Sequence, residues 1–146
     1  MKKLWPCLLV FFLMPAIFSS CKKDRNEEPR NVEEKWLFNK VVYEEYDAAG
    51  AVVDTETDSA WTADDYLALA SDGNFDLVQN GQRLNGIYSI ENSVLSLTYT
   101  QITNSNTSVS VTTKAPVVEK TSSKFTFYVE EVLAAGKFRA TFYMAK

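Results

Sequence analysis

The chain has no histidine. Its absence removes the commonest general base, the usual partner of a nucleophilic serine and the commonest metal ligand in one stroke. Cysteine is nearly absent too, with only Cys7 and Cys21 near the amino terminus. The remaining sequence therefore has no thiol nucleophile, no zinc thiolate and no disulfide. Long apolar runs are missing as well: the longest, Leu4 to Phe18, has fifteen residues, short of the roughly 20 that carry a helix across a bilayer. No long amphipathic helix and no tandem repeat follows it, which argues against a solenoid or propeller. The charge is not basic either. Fifteen lysines and arginines face nineteen acids, for a net −4, and nucleic acid is not an expected partner.

Carboxylates are what is left for an enzyme. The adjacent pairs are Glu44-Glu45, Asp64-Asp65 and Glu130-Glu131. On a strand, neighbouring side chains point to opposite faces, so the first and last pairs do not share a site. Asp64-Asp65 sits where Thr62 and Asp65 fit a capping box, with one helical turn expected over 61–66. Asp54, Glu56 and Asp58 alternate as calcium ligands do, but the glycine and distant glutamate of a calcium loop are missing. An acidic strand edge, protected against sheet-to-sheet pairing, explains the same residues. No catalytic residue, metal or cofactor is expected, and the chain does not read as an enzyme.

What is present begins with a secretory signal. Lys2 and Lys3 precede the apolar run, and Phe18-Ser19-Ser20-Cys21 closes it in the pattern of a lipobox. Cleavage after residue 20 is expected to make Cys21 the acylated first residue of the mature protein, anchored in the outer membrane through several lipid chains. Removing residues 1–20 takes the charge from −4 to −6, because Lys2 and Lys3 leave and no acid does. Residues 22–34 carry mixed charges and one apolar side chain, Val32. They are expected to form a disordered tether, which leaves 35–146 as the folded domain.

From Trp36 the apolar period becomes two. Phe125, Phe127 and Val129 alternate with polar residues, as do Phe138, Ala140, Phe142 and Met144. Turn chemistry punctuates the pattern at Ala49-Gly50, Asp72-Gly73, Asn80-Gly81, Glu91-Asn92, 104–106, Ser122-Ser123 and Ala135-Gly136. Strands are predicted at 36–46, 51–57, 66–70, 74–79, 83–90, 94–102, 108–118, 124–132 and 137–145. Eight or nine short strands suggest a sandwich or a closed barrel.

Trp36-Leu37-Phe38 on the first strand, Ser71-Asp72-Gly73-Asn74-Phe75 and Asn85-Gly86-Ile87-Tyr88-Ser89-Ile90 followed by Leu95-Ser96-Leu97 resemble the lipocalin-like domain of small bacterial lipoproteins. The resemblance implies an up-and-down antiparallel β-barrel of about eight strands, whose interior is either packed or holds one small apolar ligand. It also implies that Arg139 matches the arginine laid over the first-strand tryptophan in lipocalins, although an exposed arginine on a wet face fits the residue equally. Trp36, Phe38, Tyr88, Phe127 and Phe142 are the candidate ligand-binding residues. The aromatic residues serve core packing just as well. Two functions follow as expectations: a lipid-anchored carrier of a small hydrophobic or amphipathic ligand, or a non-catalytic interaction subunit that binds protein or glycan through its outer surface.

Overall fold

A computed structural model describes Val32–Thr103 and Thr107–Lys146. The signal run, Cys21, most of the expected tether and the 104–106 turn lie outside the described residues. The described chain is all-β, without a helix. Its nine strands are β1 (Val32–Asp47), β2 (Val52–Asp58), β3 (Tyr66–Ala70), β4 (Asn74–Gln79), β5 (Gln82–Glu91), β6 (Val94–Ile102), β7 (Ser108–Lys120), β8 (Lys124–Leu133) and β9 (Gly136–Ala145).

Each strand pairs antiparallel with the next from β3 to β9, β1 pairs with β3, and β9 returns to pair with β1. Eight strands thus close into a barrel. The ninth, β2, pairs only with β1 and stands outside the ring. Strand β1 makes this possible by its length: Val32–Leu37 pair with β3, while Val41–Tyr46 pair on the same edge with β2. Strand β1 begins three residues ahead of Lys35, where the sequence pattern starts the domain.

Turn chemistry fixes the joints. Asn80 and Gly81 both have positive φ, 51° and 74°, the geometry of a two-residue hairpin turn whose twist suits its strands. The 71–75 turn is latched from a distance: Asp72 accepts from the Asn74 amide at 3.0 Å. The Gly73 carbonyl takes the Tyr88 amide at 2.7 Å, and the Tyr88 hydroxyl donates to the Ala70 carbonyl at 3.1 Å. The motif containing Tyr88 and the motif containing Gly73 are thus two halves of one joint. Gly86, between them, lies so close to β6 that a Cβ there would run into the Thr98 carbonyl and the Phe75 ring.

One bulge reorders the interior. Trp36 and Phe38 face inward at even positions, but the β1–β9 register shifts between Phe38 and Lys40, so Val41 and Tyr43 face inward at odd ones. Asn39 is the extra residue, exposed at the shift. It lets a sixteen-residue strand bend around the barrel without turning its apolar side outward. The core then runs from Trp36 and Phe125 through Leu67, Leu69, Phe75, Leu95, Phe127 and Phe142 to Phe138. Apolar burial of this kind contributes about 1.5–3 kcal/mol for each large side chain.

The barrel has two unlike ends. At one lie the start of β1, the 71–73, 92–93 and 121–123 turns and Lys146. At the other lie the 48–51, 80–81 and 134–135 turns and the end of β6, with β2 standing alongside. We call these the Trp36 end and the arm end.

Candidate functional site

Four of the five candidate ligand residues meet inside the barrel. Phe127 stacks on Phe142 with ring centroids 5.1 Å apart, and Phe38 meets Phe142 edge-on at 6.2 Å. Phe125 links Phe127 to Trp36 at 5.2 and 5.4 Å. None of the four candidates is more than 7% exposed. Tyr88 packs against the core from β5, but its hydroxyl holds the Ala70 carbonyl.

Trp61 joins this group from the loop between β2 and β3, and the sequence pattern gave no reason to place it there. Its ring lies 4.9 Å from Phe38 in a stacked arrangement, and its indole N–H donates to the Asp58 carbonyl at 3.2 Å. The loop is held by Asp65, which is only 5% exposed. One carboxylate oxygen accepts from the Thr62 amide and hydroxyl, both at 2.9 Å, and the other accepts from the Asn80 amide at 2.6 Å. The carboxylate half of the capping box forms as expected, while the Thr62 hydroxyl takes the Asp64 amide at 3.2 Å rather than that of Asp65, and no helix follows. Asp65 instead spends its second oxygen on the β4–β5 turn, and the chain enters β3 at once. These bonds, the Thr62 amide foremost, outweigh burial and hold the Asp65 carboxyl below its ordinary range.

The Trp36 end is covered by lysines. Lys146 lies 4.6 Å and Lys120 5.9 Å from the Trp36 ring centre. Glu34 accepts from the indole N–H at 3.3 Å and from Lys120 at 3.0 Å. Burial pushes the Glu34 carboxyl up, but Lys120, the indole and Lys146 together bring it below its usual value. Arg139 has no part in this cover. It alternates with inward-facing Phe138 and Ala140, so it projects from the outer face. There its guanidinium lies 4.6 Å from the Tyr128 ring and donates twice to Glu130, at 2.7 and 2.8 Å. The exposed-face alternative is the one the structure adopts.

The carboxylate pairs separate as strand geometry requires. Glu130 faces outward to Lys137 and Arg139, whereas Glu131 is in register with inward-facing Phe138. Asp54 and Asp58 turn an oxygen to the amides of Thr55 and Ala60, and no group of three acids among the described residues converges on a metal position. A separate open cleft of about 390 Å³ lies at the arm end between the tips of two hairpins. Asp47, Ala48 and Gly50 face Val132, Leu133 and Lys137 across it, and it contains none of the candidate residues.

Comparison with protein-family models, with curated proteins and with solved structures finds no match.

Proposed function

We propose that the chain is a lipid-anchored envelope lipoprotein whose lipocalin-like barrel holds a small hydrophobic or amphipathic ligand. The supporting observation is the interior itself: an eight-stranded barrel lined along its length by Trp36, Phe38, Phe125, Phe127, Phe138 and Phe142. An eight-stranded barrel is the size whose interior side chains fill or one small ligand occupies. Trp61, on the loop before β3, rests on this lining at Phe38, and a ligand would lift it from there. Cys21 would carry the lipid. Since Val32 lies at the Trp36 end, a spacer of residues 22–31, about 35 Å when extended, would hold the arm end away from the membrane.

Native mass spectrometry of the mature domain, combined with titration of tryptophan fluorescence by a single-chain amphiphile, tests the carrier. A one-to-one adduct with a changed Trp61 emission is expected, and the change should vanish in Trp61→Phe. An unliganded spectrum with no fluorescence response to any chain length would remove the carrier reading. Intact mass tests the anchor separately: diacylglycerol on Cys21 in membrane fractions, and loss of membrane association in Cys21→Ala.

A second reading, an interaction subunit that binds through its outer surface, has its own support. The candidate rings are packed on one another, while β2 offers an unpaired strand edge. In-cell crosslinking separates the two, because a pure carrier gives no constant protein partner.

A further inference from the structure

Strand β2 hydrogen-bonds to β1 along one edge only, and no strand among the described residues pairs with its other edge. Such an edge leaves backbone donors and acceptors without a strand partner, with the Thr55 amide held only by its neighbour Asp54, and is the template on which an extended peptide can add. Its side chains say which peptide. Register places Asp58 opposite Val41, Glu56 opposite Tyr43 and Asp54 opposite Glu45, and directly opposed residues share a face. That face thus carries Glu45, Asp54, Glu56 and Asp58 around the Tyr43 ring. The Tyr43 phenol is pushed above its ordinary value by burial and then by Asp58 and Glu56, as expected where the three groups are neighbours.

Two features of this face call for a cation. Glu45 and Asp54 are like charges placed directly opposite, which costs stability, and no lysine or arginine among the described residues pairs with any of the four acids. Other tyrosines nearby are treated differently. Lys40 lies over Tyr143, Lys137 over Tyr46 and Arg139 over Tyr128, whereas none covers Tyr43.

We propose that the free edge of β2 binds an extended peptide with lysine or arginine at alternate positions, which adds as a further strand beside Val52–Asp58. The backbone ladder supplies the attachment, and the alternating acids supply the selection. A basic strand would set its cations beside Asp54, Glu56 and Asp58, while a second copy of β2 would meet those acids with its own and be repelled. The same residues therefore protect the edge against self-association and admit a partner of opposite charge.

The probe is a fluorescently labelled seven-residue peptide alternating lysine with threonine or valine, titrated against the mature domain at low salt. Three companions accompany it: the same peptide with a central proline, a glutamate-for-lysine version, and the domain variant Asp54→Asn/Glu56→Gln/Asp58→Asn. Three opposite-charge pairs at a few tenths of a kcal/mol each predict about a tenfold weaker binding to the variant. The proline peptide is expected to bind about tenfold more weakly too, since proline removes a ladder donor. Amide exchange of Val52–Asp58 should slow only with the alternating peptide. Equal binding of the proline peptide, or exchange unchanged at β2, would reduce the face to a diffuse acidic surface and overturn strand addition. No binding of the basic peptide overturns the proposal outright. Circular dichroism of the triple variant confirms that its strands persist, so a loss of binding is not a loss of fold.

Discussion

The two ends of the barrel solve opposite problems with the same strands. At the Trp36 end, β1 and β9 bury Trp36, Phe142 and Met144, and Glu34 serves the indole and Lys120 at once. At the arm end the same two strands carry Glu44, Tyr46, Lys137 and Arg139 outward and Glu45 inward, with Val132 86% exposed at the tip. Stability is concentrated where apolar side chains have neighbours on all sides. Recognition is available where they do not. A hydrogen-bond ladder alone does not make a strand part of the core, as β2 demonstrates: six register pairs tie it to β1, yet nearly every residue along it is exposed.

Breaking the Trp36 end should have the largest effect. Trp36→Ala removes a fully buried indole and its two lysine covers, and is expected to cost about 3–5 kcal/mol in urea unfolding. A loss below about 1 kcal/mol would mean that stability is spread evenly between the ends. Asp65→Ala comes next, because it leaves the Thr62 and Asn80 amides without the buried carboxylate that accepts from them. Hydrogen bonds to a charged group contribute about 1.5–3 kcal/mol each and are not additive, so the expected cost is about 3 kcal/mol.

Asp65 also predicts an acid dependence. A carboxyl held below its ordinary value in the folded state contributes stability that is complete above the unfolded value, near pH 4. That stability drains away as pH falls through the folded value. Glu34 and Glu130 are lowered as well and act in the same direction, Glu130 chiefly through Lys137. Unfolding midpoints between pH 5 and 2 should therefore fall less steeply in Asp65→Asn than in the parent chain. Parallel curves would contradict the assignment.

At the arm end the effects shrink. Arg139→Ala loses a cation over Tyr128 and a bond pair to Glu130, both partly solvated, for an expected cost of about 1 kcal/mol. Thermal unfolding measures it, and a loss equal to that of Trp36→Ala would contradict the outward placement. Val132→Ser should change stability by less than about 0.5 kcal/mol. Any larger loss would show that the hairpin tip is packed rather than displayed.

The sequence made the strands legible because alternation and turn chemistry agree along it: Asn80-Gly81, Asp72-Gly73 and Gly136 each end one apolar pattern and begin another. Three things were not legible, for physical reasons. The Asn39 bulge leaves no composition signal, since an exposed asparagine fits a plain strand equally well. Thr62 and Asp65 fit a helix start locally, whereas the second oxygen of Asp65 binds the Asn80 amide, fifteen residues away, which no local pattern announces. The cover on Trp36 comes from Lys146 and Lys120, whose places depend on how the last strand and the β7–β8 turn arrive. Of the candidate site, burial of Trp36, Phe38, Phe127 and Phe142 follows from their spacing. The stacking of Trp61 on Phe38 depends on the path of a loop.

The pairing of β1 with β9 sets the order of events in making this molecule. Leu37 meets Ala145 and Asp47 meets Gly136, so the seam joins the first strand to the last, and contacts that distant in sequence are the slowest to form. Every other ladder joins consecutive strands, except that β1 pairs with β3 across β2, and all of these can assemble as the chain appears. Until β9 is delivered the barrel remains an open sheet, with β1 and β8 each one neighbour short, and a chain without β9 has no way to close it.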